Sequence, residues 1–452
     1  MRSTSKSSDP IERLSLVALA GSPHPEMIPH ETGFTMDTSS IKFGPGMTRE
    51  IGADAVRLGC RRVMVVTDAR LASLPPVVLA MASLADAGVE AVMFDRVRTE
   101  PTDESFAEAI AFAQRGQFDG YVAVGGGSVM DTAKAANLYA TYPADLLTYV
   151  NAPIGRAEPV PGPLKPLIAV PTTAGTGSET TGVAIFDYLA MGAKTGIAHR
   201  ALRPSIGIVD PDNTATLPPM VAACSALDVL CHGLESYTAL PFHQRDAAPA
   251  PHLRPAYQGA NPISDIWAAR AVDMMARNIG TVMSDPSDHR ARSEMLLAAT
   301  FAGVGFGNAG VHLCHGMSYP VSGLVREYRA DGYPGGDALI PHGMSVVLNA
   351  PAVFRWTAAS DPGRHLEMAA ALGANVAGAN RQDAGEILAQ QIIAIMRATG
   401  MPNGLAAVGY TGEDVDRLVA GTLPQHRVTK LSPRPVTAEA LRQLFLDSMT
   451  LW

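Results

Sequence analysis

Four side chains in the second half of the sequence have the types and spacing of a metal site. Asp228 and His232 stand at positions i and i+4, which places a carboxylate and an imidazole on one face of a helix. The residues around them are apolar, so both groups need a partner or a metal ion to offset the cost of burial. On its own, D-x-x-x-H is also the spacing of a surface pair or of a hydrogen-bonded core histidine. His315 and His342 each begin an H-G-M triplet in a sparsely charged neighbourhood, and they favour the metal site.

Three imidazoles and one carboxylate suit a first-row divalent metal, with Fe²⁺ and Zn²⁺ as the leading candidates. Such a shell has a net charge of about +1, which favours a bound alkoxide, and its metal would act as a Lewis acid and an orienting template. In the simplest alternative, the histidines are structural and the chain binds a nucleotide without performing chemistry.

A glycine-rich turn in the first half has the composition of a phosphate-binding loop. Gly125, Gly126 and Gly127 stand between a β-rich run and a helical stretch, and they carry no Cβ that would hold a phosphate away from the backbone. Ser128 is then expected to cap the helix, whose free N–H groups favour an anion. Its S-x-x-D spacing with Asp131 is also that of a plain capping box. The common G-x-G-x-x-G fingerprint of dinucleotide-binding folds is absent from this turn.

A second loop, residues 171–179, combines glycines with hydroxyl groups that can bond phosphate, ribose or amide groups. Its candidate cofactor-binding residues are Thr172, Thr173, Thr176 and Ser178. A long polar turn is the alternative interpretation of this loop. Asp68 follows a β-rich run directly, where it could accept hydrogen bonds from a ribose diol and repel a 2′-phosphate, which favours NAD over NADP. An aspartate at that place is also a common turn residue.

The predicted secondary structure that positions these residues changes near residue 211, from alternating strands and helices to helices. Before it, short β-rich runs alternate with helical stretches, which predicts βαβ units and a parallel sheet. Beyond it, long stretches have helical periodicity. The predicted strands are residues 62–67, 91–95, 120–124, 167–170 and 207–209. The predicted domains are a flexible N-terminal extension over 1–30, an α/β dinucleotide-binding domain over 31–213, and a helical metal-binding and substrate domain over 214–452.

The composition of the chain indicates which binding partners and which cellular compartment to expect. The net charge of −8 over 452 residues, without a basic cluster, argues against nucleic acid or an anionic membrane as a partner. No apolar run reaches the roughly 18 to 20 residues that a membrane span needs. The 4 cysteines lack any C-x-x-C pairing and are interpreted as reduced thiols. We therefore predict a cytoplasmic protein, or one of the mitochondrial matrix if residues 1–30 are a transit peptide.

With both loops and the four ligand candidates in this order, the chain resembles the iron-containing alcohol dehydrogenase family from about Thr35 to Trp452. The motifs are G-G-G-S-x-x-D at Gly125–Asp131, P-T-T-x-G-T-G-S-E at Pro171–Glu179, D-x-x-x-H at Asp228–His232, and the two H-G-M segments. The resemblance implies an architecture similar to that of dehydroquinate synthase, a small-molecule substrate and a homo-oligomer. It also implies NAD(H) and one divalent metal, iron favoured and zinc the alternative. The implied metal ligands are Asp228, His232, His315 and His342.

Other segments look like one branch of that family, the hydroxyacid-oxoacid transhydrogenases. Among them are Arg98–Asp103, Thr180–Asp187, Asn261–Trp267 and Arg427–Leu431. The resemblance implies oxidation of 4-hydroxybutyrate to succinic semialdehyde, coupled to reduction of 2-oxoglutarate to D-2-hydroxyglutarate. One alternative is an NAD-dependent dehydrogenase for another primary alcohol or hydroxyacid. The other is a metal-dependent lyase of the dehydroquinate synthase type, which would need phosphate-binding Lys and Arg side chains around the metal.

Two residues near the third ligand candidate are proposed as catalytic. Tyr319 stands where many family dehydrogenases have a histidine, and a phenol with a pKa near about 10 is a poorer proton shuttle than imidazole at neutral pH. His312, about one turn before His315, could serve as a relay or simply be packed. A substrate carboxylate needs a cation, preferably a forked arginine. The candidates are Lys194, which is also assigned to cofactor binding, Arg203, Arg254 and Arg326.

Overall fold

The computed structural model describes residues 30–334 and 338–452. The predicted N-terminal extension, except its last residue, lies outside them. The strands are β1 (Ser40–Phe43), β2 (Arg62–Val66), β3 (Glu90–Phe94), β4 (Gly120–Gly125), β5 (Leu167–Pro171), β6 (Val183–Tyr188), β7 (Ala193–Ala198) and β8 (Ile206–Val209). The helices are α1 (Ile51–Arg57), α2 (Pro75–Asp86), α3 (Asp103–Gly116), α4 (Gly127–Thr141), α5 (Pro219–Thr238), α6 (Pro262–Ser284), α7 (His289–Ala309), α8 (Leu313–Gly323), α9 (His342–Val347), α10 (Ala350–Thr357), α11 (Pro362–Ala371), α12 (Ala384–Ala398), α13 (Val415–Thr422), α14 (His426–Thr429) and α15 (Ala438–Asp447).

A parallel sheet forms the core of the first half, as the alternating pattern predicts. Its six strands lie in the order β1-β8-β5-β4-β2-β3, and every neighbouring pair is parallel. Val63 and Val65 of β2 pack on one face with α1 and α2, whereas Met64 and Val66 pack on the other with α3 and α4. Because both faces are covered, the inner strands β2, β4, β5 and β8 are almost continuous apolar runs.

The strand order creates a binding crevice at one edge of this sheet. From β2 the chain moves outward to β3 and then returns to β4 on the other side of β2. The carboxyl ends of β2 and β4 meet there, and the Thr67 hydroxyl donates to the carbonyl oxygen of Val124 at 2.9 Å. Ligands of open α/β sheets bind at such a switch point. Asp68 and the glycine turn after β4 therefore lie beside it.

An antiparallel hairpin, β6 with β7, was not predicted from the sequence pattern. It pairs Asp187 directly opposite Lys194, and β6 packs against α4. The hairpin thereby carries both charged residues to the same side of the molecule as the glycine loops.

The second half is helical, as predicted, and it is built around α5. This helix is apolar on nearly every side, which is typical of a buried helix, and it packs against α6, α7 and α9. Among the described residues, no single helix is long and apolar enough to cross a membrane; α7 and α8 reach that threshold only together, across a bend of 104°. The bend turns α8 back against α5. Two chain segments that carry ligand candidates are therefore adjacent.

Candidate metal centre and active-site cleft

Three imidazoles surround one carboxylate oxygen at the centre of the helical half. The Oδ1 atom of Asp228 lies 3.6 Å from Nε2 of His232, 3.5 Å from Nε2 of His315 and 3.7 Å from Nε2 of His342. The ligand atoms of Asp228, His315 and His342 all lie within 4.8 Å of one another. The structure therefore brings together the four residues chosen from the sequence.

These distances suit a shared metal ion better than direct hydrogen bonds. A tetrahedral shell with bonds of about 2.0–2.2 Å puts neighbouring ligand atoms about 3.3–3.6 Å apart. Among the described residues, Oδ1 of Asp228 and Nε2 of His315 are buried and have no hydrogen-bond partner. A cation between them would satisfy both atoms, which otherwise carry the full cost of burial. The donor set and its spacing therefore fit a divalent metal.

The pKa values of Asp228, His232 and His342 favour the protonation states that metal binding requires. Burial by itself raises the pKa of Asp228, but the imidazoles of His232, His342 and His315 outweigh burial and hold that pKa well below its ordinary value. Burial lowers the pKa of His232 to about 3 and also lowers the pKa of His342. An ionised carboxylate and neutral imidazoles are the forms that bind metals, and Asp228, His232 and His342 are shifted toward those forms.

Glu235, on the same helix as Asp228 and His232, orients the third ligand candidate. Its fully buried carboxylate contacts Nδ1 of His315 and accepts hydrogen bonds from the backbone N–H groups of His312 and Cys314 at 3.0 and 2.7 Å. Burial alone would lower the pKa of His315, but Glu235 and Asp228 raise it to about 9. A carboxylate on the far ring nitrogen fixes the tautomer and direction of a metal-binding histidine.

A cleft of about 840 Å³ lies next to the four ligand candidates, Asp228, His232, His315 and His342, which we call the metal cluster. The cleft reaches the carboxyl ends of β2, β4 and β5. This volume lies within the range of ligand sites, about 300–1,000 Å³. Fifteen of the predicted site residues line it. They are Asp68, Gly126, Gly127, Ser128, Asp131, Thr172, Thr173, Thr176, Ser178, Lys194, Asp228, His232, His315, Tyr319 and His342. The two glycine loops and the metal cluster therefore share one cavity.

The turn after β4 is open to an anion, although its local geometry differs from the prediction. Helix α4 begins at Gly127 with Gly126 as its N-cap and no side-chain cap, so the prediction that Ser128 caps the helix is wrong. The Ser128 hydroxyl instead accepts a hydrogen bond from the backbone N–H of Glu100 at 3.2 Å. An added Cβ at Gly127 would lie 2.7 Å from Thr176, which shows how closely the two loops approach. The uncapped N–H groups of α4 thus face the cleft beside the second loop.

Two of the predicted cofactor residues also hold the wall of the cleft together. The Ser178 hydroxyl donates to Oδ1 of Asp131 at 3.0 Å, and Oδ2 of Asp131 accepts from the backbone N–H of Ile185 at 3.0 Å. Asp68 accepts from the backbone N–H groups of Arg70 and Leu71 at 2.9 and 3.1 Å, as a turn aspartate does. All three carboxylate or hydroxyl groups still belong to residues that line the cleft.

Two predicted site residues do not line the cleft. Gly125 is the last residue of β4 and is buried in the sheet. His312 is fully buried, with Nε2 at 3.0 Å from the Thr238 hydroxyl and Nδ1 at 3.5 Å from Glu235. The packed alternative describes the position of His312 better than a proton relay to substrate.

Of the four cations proposed for a substrate carboxylate, only Lys194 lines the cleft. Its Nζ atom already lies 2.6 Å from Glu100 and 3.0 Å from Asp187, so two carboxylates neutralise it. The other three are bound elsewhere. They pair as Arg203 with Asp37, Arg254 with Glu31, and Arg326 with Asp414.

Sequence reasoning missed Glu235 and Arg427 as site residues. Glu235 had a usable signal, because it lies on the same helical face as Asp228 and His232 in an apolar stretch. Arg427 opens the branch-like segment Arg427–Leu431, but nothing in its spacing distinguishes it from the other arginines as a site residue. In the structure it lines the cleft, its guanidinium contacts the Tyr319 hydroxyl, and its central carbon lies 4.9 Å from the centre of the Tyr257 ring.

Comparison with known proteins places the chain in a family. Residues 38–211 match the model of the iron-containing alcohol dehydrogenase family, and residues 256–449 match that of its C-terminal domain. The hydroxyacid-oxoacid transhydrogenase, mitochondrial, of Bos taurus is 55% identical over 421 residues, which cover 93% of this chain and 90% of the relative.

Solved structures agree with this placement. The alcohol dehydrogenase from Oenococcus oeni superimposes with a TM-score of 0.80 at 26% identity, covering 92% of this chain and 100% of that one. The sulfoacetaldehyde reductase from Bifidobacterium kashiwanohense, in complex with NAD⁺, has a TM-score of 0.74 at 25% identity, covering 92% and 98%. The chain is therefore an oxidoreductase that belongs to the iron-containing alcohol dehydrogenase family and, within it, to the hydroxyacid-oxoacid transhydrogenase branch.

Proposed function

We propose that this enzyme oxidises 4-hydroxybutyrate to succinic semialdehyde and passes the hydride to 2-oxoglutarate, forming D-2-hydroxyglutarate. The observation that carries the proposal is that the metal cluster and both glycine loops line one cleft. Identity of 55% to a relative named a hydroxyacid-oxoacid transhydrogenase supports the choice of substrates. Each substrate would occupy the cleft in turn while the nicotinamide stays in place.

The residues around the cleft would have distinct tasks in this reaction. When bound, a divalent metal supplies Lewis acidity and the nicotinamide supplies a hydride acceptor and donor. Glu235 holds the proton of His315 at Nδ1 and so keeps Nε2 directed toward Asp228. The Tyr319 hydroxyl accepts from Arg427, which leaves its own proton free to be donated to a substrate oxygen.

We propose NAD(H) and Fe²⁺ as the cofactors, with Zn²⁺ as the alternative metal. The imidazole-rich donor set accommodates either ion, and the family name favours iron. A carboxylate at Asp68 favours NAD, because it would repel the 2′-phosphate of NADP. Metal analysis of the purified chain, reconstituted separately with each ion, tests the assignment: activity restored by zinc but not by iron would contradict it.

The domain boundary near residue 213 and the cellular location stay predictions. The last strand of the sheet ends at Val209 and α5 begins at Pro219, which supports a boundary between them. The Bos taurus relative is named as mitochondrial, which supports the mitochondrial rather than the cytoplasmic prediction. Fluorescent fusions with and without residues 1–30 would test whether the segment directs import. A homo-oligomer stays an expectation from the family, and sedimentation analysis tests it.

The proposed reaction is tested by a coupled assay without added nucleotide. We expect the purified protein, supplied with 4-hydroxybutyrate and 2-oxoglutarate, to form succinic semialdehyde and D-2-hydroxyglutarate in equal amounts. Absorbance at the nicotinamide band should show no net NADH. Product that depends on stoichiometric NAD would contradict the proposal and indicate an ordinary dehydrogenase. The same assay with the Asp228→Asn variant is the matched blank.

A further inference from the structure

The cleft contains a guanidinium group that has no acidic partner among the described residues. Arg427, on α14, lines the cleft and is half-buried. Within residues 30–334 and 338–452, no carboxylate lies within ion-pair distance of it, and its buried Nη1 atom has no hydrogen-bond partner. A buried guanidinium nitrogen without an acceptor carries a desolvation cost that an incoming anion would offset. The arginine is therefore poised for a negatively charged ligand.

Two aromatic residues hold Arg427 in one orientation. Its Nη2 atom contacts the Tyr319 hydroxyl, and the guanidinium lies 4.9 Å from the centre of the Tyr257 ring. A planar guanidinium held in this way presents its remaining N–H groups as a fork, which matches the geometry of a carboxylate. A flexible lysine would not keep that geometry.

The same two residues connect Arg427 to the metal cluster. Tyr319 lies one turn after His315 on α8. The Tyr257 ring lies 6.4 Å from the ring of Phe306, which in turn stacks on His232 at 3.8 Å. Arg427 is thus separated from the ligand candidates only by packed rings and one helical turn. A short carbon chain could place its hydroxyl or oxo group at the metal and its far carboxylate at Arg427.

The other cations of the cleft are less suited to this task. Lys194 is neutralised by Glu100 and Asp187. Arg70 and Arg98 also line the cleft, but both are exposed and follow β2 and β3, on the side where the dinucleotide loops lie. Arg427 combines burial, a free donor and closeness to the metal cluster.

We propose that Arg427 binds the carboxylate distal to the reacting carbon and so selects hydroxyacids and oxoacids over neutral alcohols. Both proposed substrates have a carboxylate a few carbons from the carbon that exchanges hydride, so one arginine serves both half-reactions. The inference rests on the proposed function and deepens it, because it names the residue that recognises the substrate class.

The test measures equilibrium binding of glutarate, a dicarboxylate that cannot be oxidised at this site, to the metal- and NAD-loaded protein. Arg427→Gln should weaken glutarate binding about 30-fold or more and raise KM for 4-hydroxybutyrate by a similar factor. Metal content and NAD affinity should stay at wild-type values. Arg427→Lys, which keeps the charge but loses the fork, should give an intermediate loss. Arg326→Gln removes an arginine that pairs with Asp414 outside the cleft, and it should match wild type in every measurement.

Unchanged glutarate binding in Arg427→Gln would overturn the inference, as would a loss accompanied by an equal fall in metal content or NAD affinity. If Arg427→Gln does not fold, Tyr319→Phe replaces it: removing the hydroxyl that orients the guanidinium should weaken glutarate binding severalfold, and wild-type binding would overturn the inference. Glutarate binding needs no turnover. A wild-type protein that binds glutarate through Arg427 but transfers no hydride would contradict the proposed function alone.

Discussion

At the scale of single residues, the cluster around Asp228 concentrates polar groups in an apolar helical core. Asp228, His232 and His315 are almost fully buried, and the buried ligand atoms of Asp228 and His315 lack partners within the described chain. Such groups are stable together when a cation is shared among them. The Oδ1 atom of Asp228 lies within 3.7 Å of all three Nε2 atoms, so this carboxylate contributes strongly to the attraction for a dication.

Loss of a residue that only hydrogen-bonds to a metal ligand typically weakens metal binding about 10–100-fold. Because Asp228 is itself a ligand candidate, we expect Asp228→Asn to reduce metal affinity by more than that and to abolish turnover. Metal content after dialysis against a chelator, together with activity, checks this. Asp361→Asn, which alters the cap of α11 away from the cleft, is the matched control and should keep its metal. Full activity of Asp228→Asn or of His342→Ala after chelation would contradict the metal assignment.

Glu235→Gln should also weaken metal binding, by about 10–100-fold. The amide keeps the size of the side chain and can still accept from the backbone, but its NH₂ group cannot accept the Nδ1 proton of His315. Competition with a fluorescent chelator measures the affinity. Glu386→Gln, on the surface and paired with Arg355, provides the control. Equal affinities in Glu235→Gln and wild type would show that Glu235 has only a packing role.

At the scale of elements, the position of His342 depends on how closely α9 approaches α5. A Cβ added at Gly343 would lie 1.9 Å from the backbone oxygen of Cys224, one turn before Asp228. The backbone of α9 at Gly343 therefore packs directly against the backbone of α5, with no side chain between them. This close contact holds His342 against Asp228.

Gly343→Ala should force α9 away from α5. Overpacking of this kind costs about 1–3 kcal/mol of unfolding free energy, and displacement of His342 should lower metal affinity as well. Urea denaturation and metal titration measure the two effects. Gly280→Ala, in α6, is the matched control, because nothing lies within 4 Å of its added Cβ. It should stabilise the protein by up to about 1 kcal/mol. Similar behaviour of the two variants would contradict the packing argument.

At the scale of the whole molecule, the second glycine loop connects the sheet to the helical half. The carboxylate of Glu179 accepts from the Thr300 hydroxyl of α7 at 2.7 Å. On the other side, Nζ of Lys134 in α4 donates to the carbonyl oxygens of Ser178 and Val183 at 2.8 and 2.9 Å. These buried contacts attach the loop to α7 in the helical half and to α4 beside the sheet.

Because of Lys134, the contribution of this connection to the free energy of unfolding depends on pH. Burial lowers its pKa from 10.5 to about 8. Between these values the unfolded chain binds more protons than the folded chain, so the contribution of Lys134 to the free energy of unfolding rises with pH. Relative to Lys134→Met, wild type should gain stability between pH 8 and 10, by at most about 1.4 kcal/mol per pH unit. Urea denaturation of both proteins at the two pH values measures the gain; a constant difference would contradict the lowered pKa.

Several features could be predicted from the sequence, because they depend on local patterns. Strand and helix periodicity identified the parallel sheet and the helical half. The i and i+4 spacing put Asp228 and His232 on one helical face, and the two H-G-M segments supplied the other two ligand candidates. Glycine and hydroxyl content marked both loops that line the cleft.

Other features depend on contacts between residues far apart in the chain, and only the tertiary structure decided them. The four cations chosen from the sequence are all paired with acids, whereas Arg427 faces the cleft with no acid beside it in the part of the chain that the structure describes. His312 packs behind the cluster, while Glu235 orients His315. No local pattern distinguishes a free arginine from a paired one, because the partner that neutralises it is brought close only when the chain folds.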